Sequence, residues 1–353
     1  MKRFLSVAAV LAVAMAAPAT AADVEWKMTA AIGEGSFFYK NFMERFAGNV
    51  DKLTQGRVEV KPFGAGVLAP AFKAYETVQD GIVEAGHSTP SYLVNQDPTN
   101  AVFASFPGGM SGEATLHWVY EGGGEKLLQD FRREEMGLHT MVVGIGTSEI
   151  FAHSNVKIET VEDLKGVKFR TSGAFAAVLQ EDFGGVPTVV PGNEIYTLLQ
   201  RKGVDAIEWS TPGANITEGF HEVAPYLIMP GVHQPSFLWE VFVKQETWDA
   251  LPDDLKVQIT AAAKLTTYES FTHFGDQDIR AMEEFRKTKV EIVNIVPSEA
   301  EKIREAGRKW ARAMAGEKAG AGDTRMQEVL DSYLAYQANW AANSGYLVRD
   351  SAE

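Results

Sequence analysis

Cysteine is absent from all 353 residues, which excludes disulfides, thiolate metal sites and a thiol nucleophile together. A chain of this length must therefore hold itself together by core burial. Positive charge is also scarce: 33 Lys and Arg stand against 47 Asp and Glu, a formal net charge of −14. Attraction to nucleic acid phosphates or to an anionic lipid surface is disfavoured, and an anionic ligand would need a local positive site. Enzyme signatures are missing as well. The histidines, His87, His117, His139, His153, His221, His233 and His273, nowhere show the i, i+4 spacing that puts two imidazoles on one helix face for zinc. There is no Gly-x-Ser-x-Gly elbow and no Gly-x-x-x-x-Gly-Lys-Ser/Thr phosphate loop. Gly144-Ile145-Gly146 lacks the third glycine of a dinucleotide fingerprint. Carboxylates are too numerous for spacing to nominate an acid/base pair.

Long apolar runs are confined to the first residues. Met1 to Ala22 combine Lys2 and Arg3, an apolar run from Phe4 to Ala17, and the small-residue end Ala19-Thr20-Ala21. That is the pattern of a secretory signal peptide, too short in its apolar part to span a bilayer. Cleavage near Ala21 takes the formal charge from −14 to −16. With 45% hydrophobic and 23% charged residues, the remainder has the composition of an exported, folded, soluble protein, and its length suggests about two domains.

Periodicity alternates along the mature chain. Val24 to Thr29 reads as a strand, and Phe38, Phe42, Phe46 and Val50 then recur every four residues as one face of a helix. Arg57 to Phe63 reads as a strand, Ala71 to Gln79 as a short helix and Ile82 to His87 as a strand. Such β-α-β order predicts parallel strands with a ligand crevice beyond their carboxyl ends. A second round follows the Gly122-Gly123-Gly124 break: a helix over Glu125 to Glu135, a strand over Leu138 to Val143, then short strands at Val167 to Arg170, Thr188 to Val190 and Ala206 to Trp209 with helices between. Leu238 to Lys244 is strand-like and could return the chain to the first sheet, making the lobes discontinuous. From Pro252 onward the pattern is helical: one helix running from Asp253 and Asp254 toward Lys287, others around 299–314 and 324–342, with a break at Gly316 to Gly322.

Three segments carry more specific information: Leu164-Lys165-Gly166-Val167-Lys168-Phe169-Arg170, Gly203-Val204-Asp205-Ala206-Ile207-Glu208-Trp209, and Pro230-Gly231-Val232-His233-Gln234-Pro235. With Trp248 to Leu255 at the start of the long helix, they resemble the extracytoplasmic solute-binding subunits of tripartite ATP-independent periplasmic (TRAP) transporters, in particular the branch that binds 2-oxo acids and related monocarboxylates. The resemblance covers nearly the whole mature chain. It implies an α/β, two-lobed periplasmic binding protein (type II-like), with mixed sheets, a long bridging helix and a helical C-terminal region. The expected division is a signal peptide over 1–22, lobe I over 23–148 plus about 238–280, lobe II over 149–237, and C-terminal helices over 281–353 that pack on the lobes or on a partner subunit.

Through the same resemblance, Arg170 stands where the family's arginine grips the substrate carboxylate. A guanidinium suits that task because its parallel N–H groups match a carboxylate and it stays charged when buried. Without the resemblance, Arg170 reads rather as a surface arginine or as one arm of a structural salt bridge. The resemblance further implies a cation, Na⁺ or Ca²⁺, bridging to the ligand and held by Glu149, Glu208, the Trp209 carbonyl and Gln234, a hard-oxygen donor set. Glu149 stands where the branch usually has glutamine, and Gln234 where it usually has an acid. Glu208 could instead pair with Arg170 when no ligand is present, and the Trp209 side chain could be a core anchor. In the first lobe, Phe37, Ser88, Thr89 and Tyr92 lie where the crevice is expected, as an apolar wall and hydroxyl donors. Phe237 and Trp239 read as hinge packing.

The function implied is a periplasmic receptor that is not an enzyme, captures a small organic anion and delivers it to TRAP membrane permease subunits, with no nucleic acid partner and a homodimer as one assembly. Three alternatives remain at the level of sequence. One is a metal-free receptor for a dicarboxylate, sugar acid or sulfonate. Another is an exported hydrolase or isomerase on a two-lobed scaffold. The third is a receptor that presents its ligand to a sensory partner.

Overall fold

The structure is a computed structural model that describes residues 22–347, so residues 1–21 of the expected signal peptide lie outside the described residues. Eleven strands are described: β1 (Val24–Ala30), β2 (Val58–Phe63), β3 (Ala85–Ser88), β4 (Leu138–Gly146), β5 (Ala152–Ser154), β6 (Lys168–Arg170), β7 (Val186–Thr188), β8 (Ala206–Ile207), β9 (Tyr226–Met229), β10 (Phe237–Lys244) and β11 (Glu291–Asn294). They build two mixed sheets, ordered β2-β1-β3-β10-β4 and β11-β9-β5-β8-β6-β7. Each sheet is the centre of one α/β lobe.

Strands β1, β2 and β3 pair in parallel, as the β-α-β alternation predicted, and β10 inserts antiparallel between β3 and β4. In the second sheet β6 pairs in parallel with both β7 and β8, and β5 runs antiparallel between β8 and β9. Strand β11 extends this sheet beside β9, although its residues fall in a region read from the sequence as helical. Only four residues long, it is too short to interrupt a helical pattern visibly.

The Phe38, Phe42, Phe46 and Val50 stripe is buried, as its spacing requires. A strict period of four drifts around an α-helix of 3.6 residues per turn. The chain corrects the drift with a wider i→i+5 turn over Tyr39–Glu44 before the α-helix at Arg45–Thr54. The long helix spans Asp253–Phe285, 33 residues, or about 50 Å at 1.5 Å per residue. It covers β4, the edge of the first sheet, where Thr267 Oγ1 donates to the Val142 carbonyl at 3.0 Å. Farther along, Asp278 accepts from Gly213 N at 2.8 Å, in the second lobe, and from Thr147 Oγ1 at 2.6 Å, where the chain crosses between the sheets. One helix thus braces both lobes. Helices Pro297–Gly320 and Arg325–Asn343 pack against each other, and the break between them falls at 321–324. No helix among the described residues is long and apolar enough to cross a membrane.

The first lobe buries an ion pair. Arg132 and Glu240, both fully buried, join at 2.5 Å, and Tyr75 donates to the same carboxylate at 2.6 Å while Arg132 Nη1 reaches Asn100 Oδ1 at 2.7 Å. Each charge has several partners, which is the condition for burying one. This network lies on the far side of β10 from the crevice and has no sequence signature.

Buried histidines set an acid limit on this fold. His87 stacks on Trp239 and His153 lies near Phe220 and Phe285, with no hydrogen-bond partner on any of their ring nitrogens. Burial pushes both down from 6.5 to about 3. Between those values the unfolded chain takes up a proton at each ring that the native state refuses, so stability is full above about pH 6.5 and falls as pH drops toward 3. Each ring contributes a slope of about 1.4 kcal/mol per pH unit in that window. His153→Phe should flatten the fall in melting temperature between pH 6.5 and 4.5; an unchanged slope would contradict this burial argument.

Candidate functional site

The parallel register of β6 and β8 builds the site. Arg170 pairs with Ile207, so the residues after β8, Glu208 and Trp209, come level with the arginine at the carboxyl edge of the sheet, where open α/β sheets bind ligands. The Arg170 side chain is 1% exposed. Its Nε and Nη2 donate to the Val190 carbonyl at 3.2 and 2.8 Å, and Nη1 donates to the Glu208 carbonyl at 2.9 Å and to Glu208 Oε1 at 3.1 Å. Four of the five guanidinium N–H groups are thereby held within the arginine's own lobe, and the remaining one is on Nη2. Tyr92, from the first lobe, faces the guanidinium, and burial raises its phenol to about 12, so it is a neutral donor.

The two bridging segments zip together beside this arginine. Glu149 N donates to the Gln234 carbonyl at 3.2 Å, and Ser148 Oγ donates to the Gly231 carbonyl at 3.3 Å. Contact is so close that a Cβ at Gly231 would stand 1.9 Å from the Glu149 carbonyl, so only glycine fits. Gln234 turns its amide N–H to the Ala104 carbonyl at 2.7 Å. The result is a narrow cavity of about 30 Å³ lined by Phe38, Thr89, Ser91, Tyr92, Phe237 and Trp239 on one side and by Glu149, Arg170, Ser172, Glu208, Trp209 and Gln234 on the other. A volume of that size admits a few water-sized groups.

Glu149 and Glu208 face one another here. Burial, then the neighbouring Glu208 carboxylate, raises Glu149 well above the usual carboxylate range, only partly offset by Arg170. Its Oε2 has no hydrogen-bond partner and lies 3.4 Å from His233 Nε2. His233 is buried beside Phe151 and Phe175, and burial lowers it to about 3, so its ring is neutral. Ligand atoms of Glu149, Glu208 and His233 all lie within 4.8 Å of one another. Two buried carboxylates, one with an orphaned oxygen, form a donor set suited to a hard cation, and the Gln234 side chain lines the same space.

Arg170, Glu149, Glu208, Trp209, Gln234, Thr89 and Tyr92 line one cavity. Phe37 and Ser88 do not line it. Phe37 packs against His273 and Phe274 on the long helix, and its neighbour Phe38 forms the wall. Ser88 is buried at the end of β3 with its hydroxyl near Tyr75, part of the Arg132 and Glu240 network. Phe237 and Trp239, read as hinge packing, line the cavity as well. The bidentate grip expected of Arg170 is not free in this conformation, because Glu208 Oε1 takes one Nη1 proton. His233 was missed; its only sequence signal is its place beside Gln234. Trp209 packs edge-on to Phe38, with ring centroids 5.4 Å apart, and Arg170 lies 5.7 Å from its ring.

Known proteins share this chain's family and fold. Residues 29–318 match the family described as bacterial extracellular solute-binding protein, family 7. The chain is 31% identical over 234 residues to a monocarboxylate 2-oxoacid-binding periplasmic protein of Nostoc sp., a match covering 66% of this chain and 63% of that relative's length. A TRAP periplasmic solute-binding protein of Pseudoalteromonas atlantica with bound sodium and pyruvate superposes with a TM-score of 0.83 at 27% identity, covering 90% of this chain and 95% of that one. One from Colwellia psychrerythraea with bound calcium and pyruvate gives 0.83 at 26% identity, with the same coverage.

The hydrogen bonds around Arg170 carry a stability prediction. Arg170→Ala would leave the Val190 carbonyl without its donor and the buried Glu208 carboxylate without its charged partner, with only Ser172 N still donating to it at 2.8 Å, a loss of about 3–5 kcal/mol for a buried pair broken on one side. Denaturant unfolding of the ligand-free protein measures this; a loss below about 1 kcal/mol would mean that solvent reaches the pair.

Proposed function

This chain belongs to the bacterial extracellular solute-binding protein family 7, and on that premise we propose that it is a periplasmic receptor for a small 2-oxo acid or similar monocarboxylate, which it hands to TRAP membrane permease subunits. The observation that carries the reading is the single buried guanidinium at the carboxyl edge of the second sheet, opening on a cavity of about 30 Å³ walled by both lobes. So small a chamber supports a short carboxylate over a sugar acid. Members of this family and the solved relatives are solute receptors, and the pocket supports binding without conversion.

In this reading the lobes close on the ligand because only the closed form satisfies its charge from both sides. Arg170 offers the free Nη2 N–H to the ligand carboxylate, and Tyr92, Thr89 and Ser91 offer hydroxyl groups from the first lobe. Phe38, Phe237 and Trp239 exclude water, which strengthens each polar contact. Glu208 is poised between two uses: it pairs with Arg170 in the empty site, and it can turn its carboxylate toward a cation once the ligand takes its place at the guanidinium. A Na⁺ or Ca²⁺ ion would be held by Glu149, Glu208, Gln234 and the Trp209 carbonyl, and would supply positive charge for the ligand's oxygen atoms. His233 is a positioning residue in this scheme, its Nε2 standing 3.4 Å from Glu149 Oε2. The homodimer and the periplasmic location belong to the same proposal.

Two measurements test it. Arg170→Lys keeps the charge but loses the fork that meets a carboxylate and two carbonyls together; it should weaken pyruvate binding at least about tenfold, or 1.4 kcal/mol, by calorimetry, while the melting temperature shows a folded protein. Undiminished binding would remove Arg170 from the site. Chelation followed by verified metal removal should weaken pyruvate binding, with recovery on adding Ca²⁺ or Na⁺. An unchanged dissociation constant would leave the metal-free receptor for another acid as the better reading, and turnover of the bound acid would favour the enzyme.

A further inference from the structure

Behind the inner chamber lies a second and larger cavity, of about 310 Å³, lined by Ile32, Gly33, Gly35 and Ser36 from the first lobe and by Gly192, Asn193 and Glu218 from the second. Among the described residues, Trp209 alone lines both cavities. Its indole is the partition. The ring is fixed on several sides: Phe38 meets it edge-on, the Arg170 guanidinium lies 5.7 Å from it, and a Cβ at Gly192 would stand 2.1 Å from it, closer than any side chain could. Trp209 is 8% exposed and its Nε1 has no hydrogen-bond partner, so packing and the cation-π contact hold the ring in place.

We propose that the Trp209 indole sets the chain length of the ligand, confining it to short 2-oxo acids, and that the outer cavity is a latent subsite for an aliphatic tail. The inference rests on the 2-oxo acid reading above and adds the residue that decides its size limit. A carboxylate anchored at Arg170 directs the rest of the molecule into a chamber of about 30 Å³. A long tail reaching from that chamber into the larger cavity must displace the indole that lines both. Beyond it, Gly33 and Gly35 present bare backbone, and a Cβ at either would meet nothing within 4 Å. The outer walls, with Ser36, Asn193 and Glu218 at their sides, therefore leave the space that an alkyl chain needs, and each methylene buried there from water adds affinity.

The test is calorimetry with pyruvate, 2-oxobutyrate, 2-oxohexanoate and 2-oxooctanoate on the whole mature protein. The wild type should lose at least about tenfold in affinity from pyruvate to 2-oxooctanoate, whereas the five added methylenes would raise affinity if they were accommodated. Trp209→Ala should bind 2-oxooctanoate at least about tenfold tighter than the wild type does, reversing the order. Trp209→Phe, with a smaller ring, should fall between the two, and it serves if the alanine variant does not fold; melting curves decide which variant is read. Equal affinity across the series in the wild type would overturn the partition while leaving the 2-oxo acid reading intact. So would a folded variant that keeps the wild-type order. If no acid of the series binds the wild type, that reading falls and the partition with it.

Discussion

The arginine at the end of β6 is held by its own lobe before any ligand arrives, and much of the site follows from that. Two backbone carbonyls and one carboxylate fix the guanidinium in plane. A charge so placed loses little freedom on binding, which is what preorganisation means in energetic terms. The same bonds limit it. With four N–H groups engaged, the group can accept a new partner fully only if Glu208 gives way, so carboxylate recognition and the position of Glu208 are linked.

The second lobe could be read well from sequence because its site residues follow strand ends in register. Arg170 closes β6 and Glu208-Trp209 follow β8, and the parallel pairing of those strands brings them level. Short strand segments ending in those residues are visible in a linear chain. The first lobe was less legible. Its wall is set by which face of a turn points inward, and a shift of one residue exchanges Phe37 for Phe38. The π-helical turn at Tyr39–Glu44 causes part of the difficulty, since an irregular turn rotates side chains in a way that a 3.6-residue period does not anticipate.

Residues joined only in three dimensions escaped altogether. His233 reaches Glu149 because the 148–150 and 230–235 segments press together with no room for a side chain at Gly231. Arg132 and Glu240 are 108 residues apart. Strand β11 was lost inside a helical stretch because four residues carry too little periodicity to be seen. In each case the missing information was the tertiary neighbour.

The insertion of β10 between β3 and β4 also bears on how the polypeptide acquires its shape. The first sheet cannot be completed until residue 244 has emerged, about a hundred positions after β4, and the second waits for β11 at 291–294. Neither lobe is a contiguous unit that could condense before the remainder of the chain has been made. Contacts of such long sequence separation form slowly, which favours a chain that stays uncollapsed during synthesis and gains both lobes together once the whole of it is available.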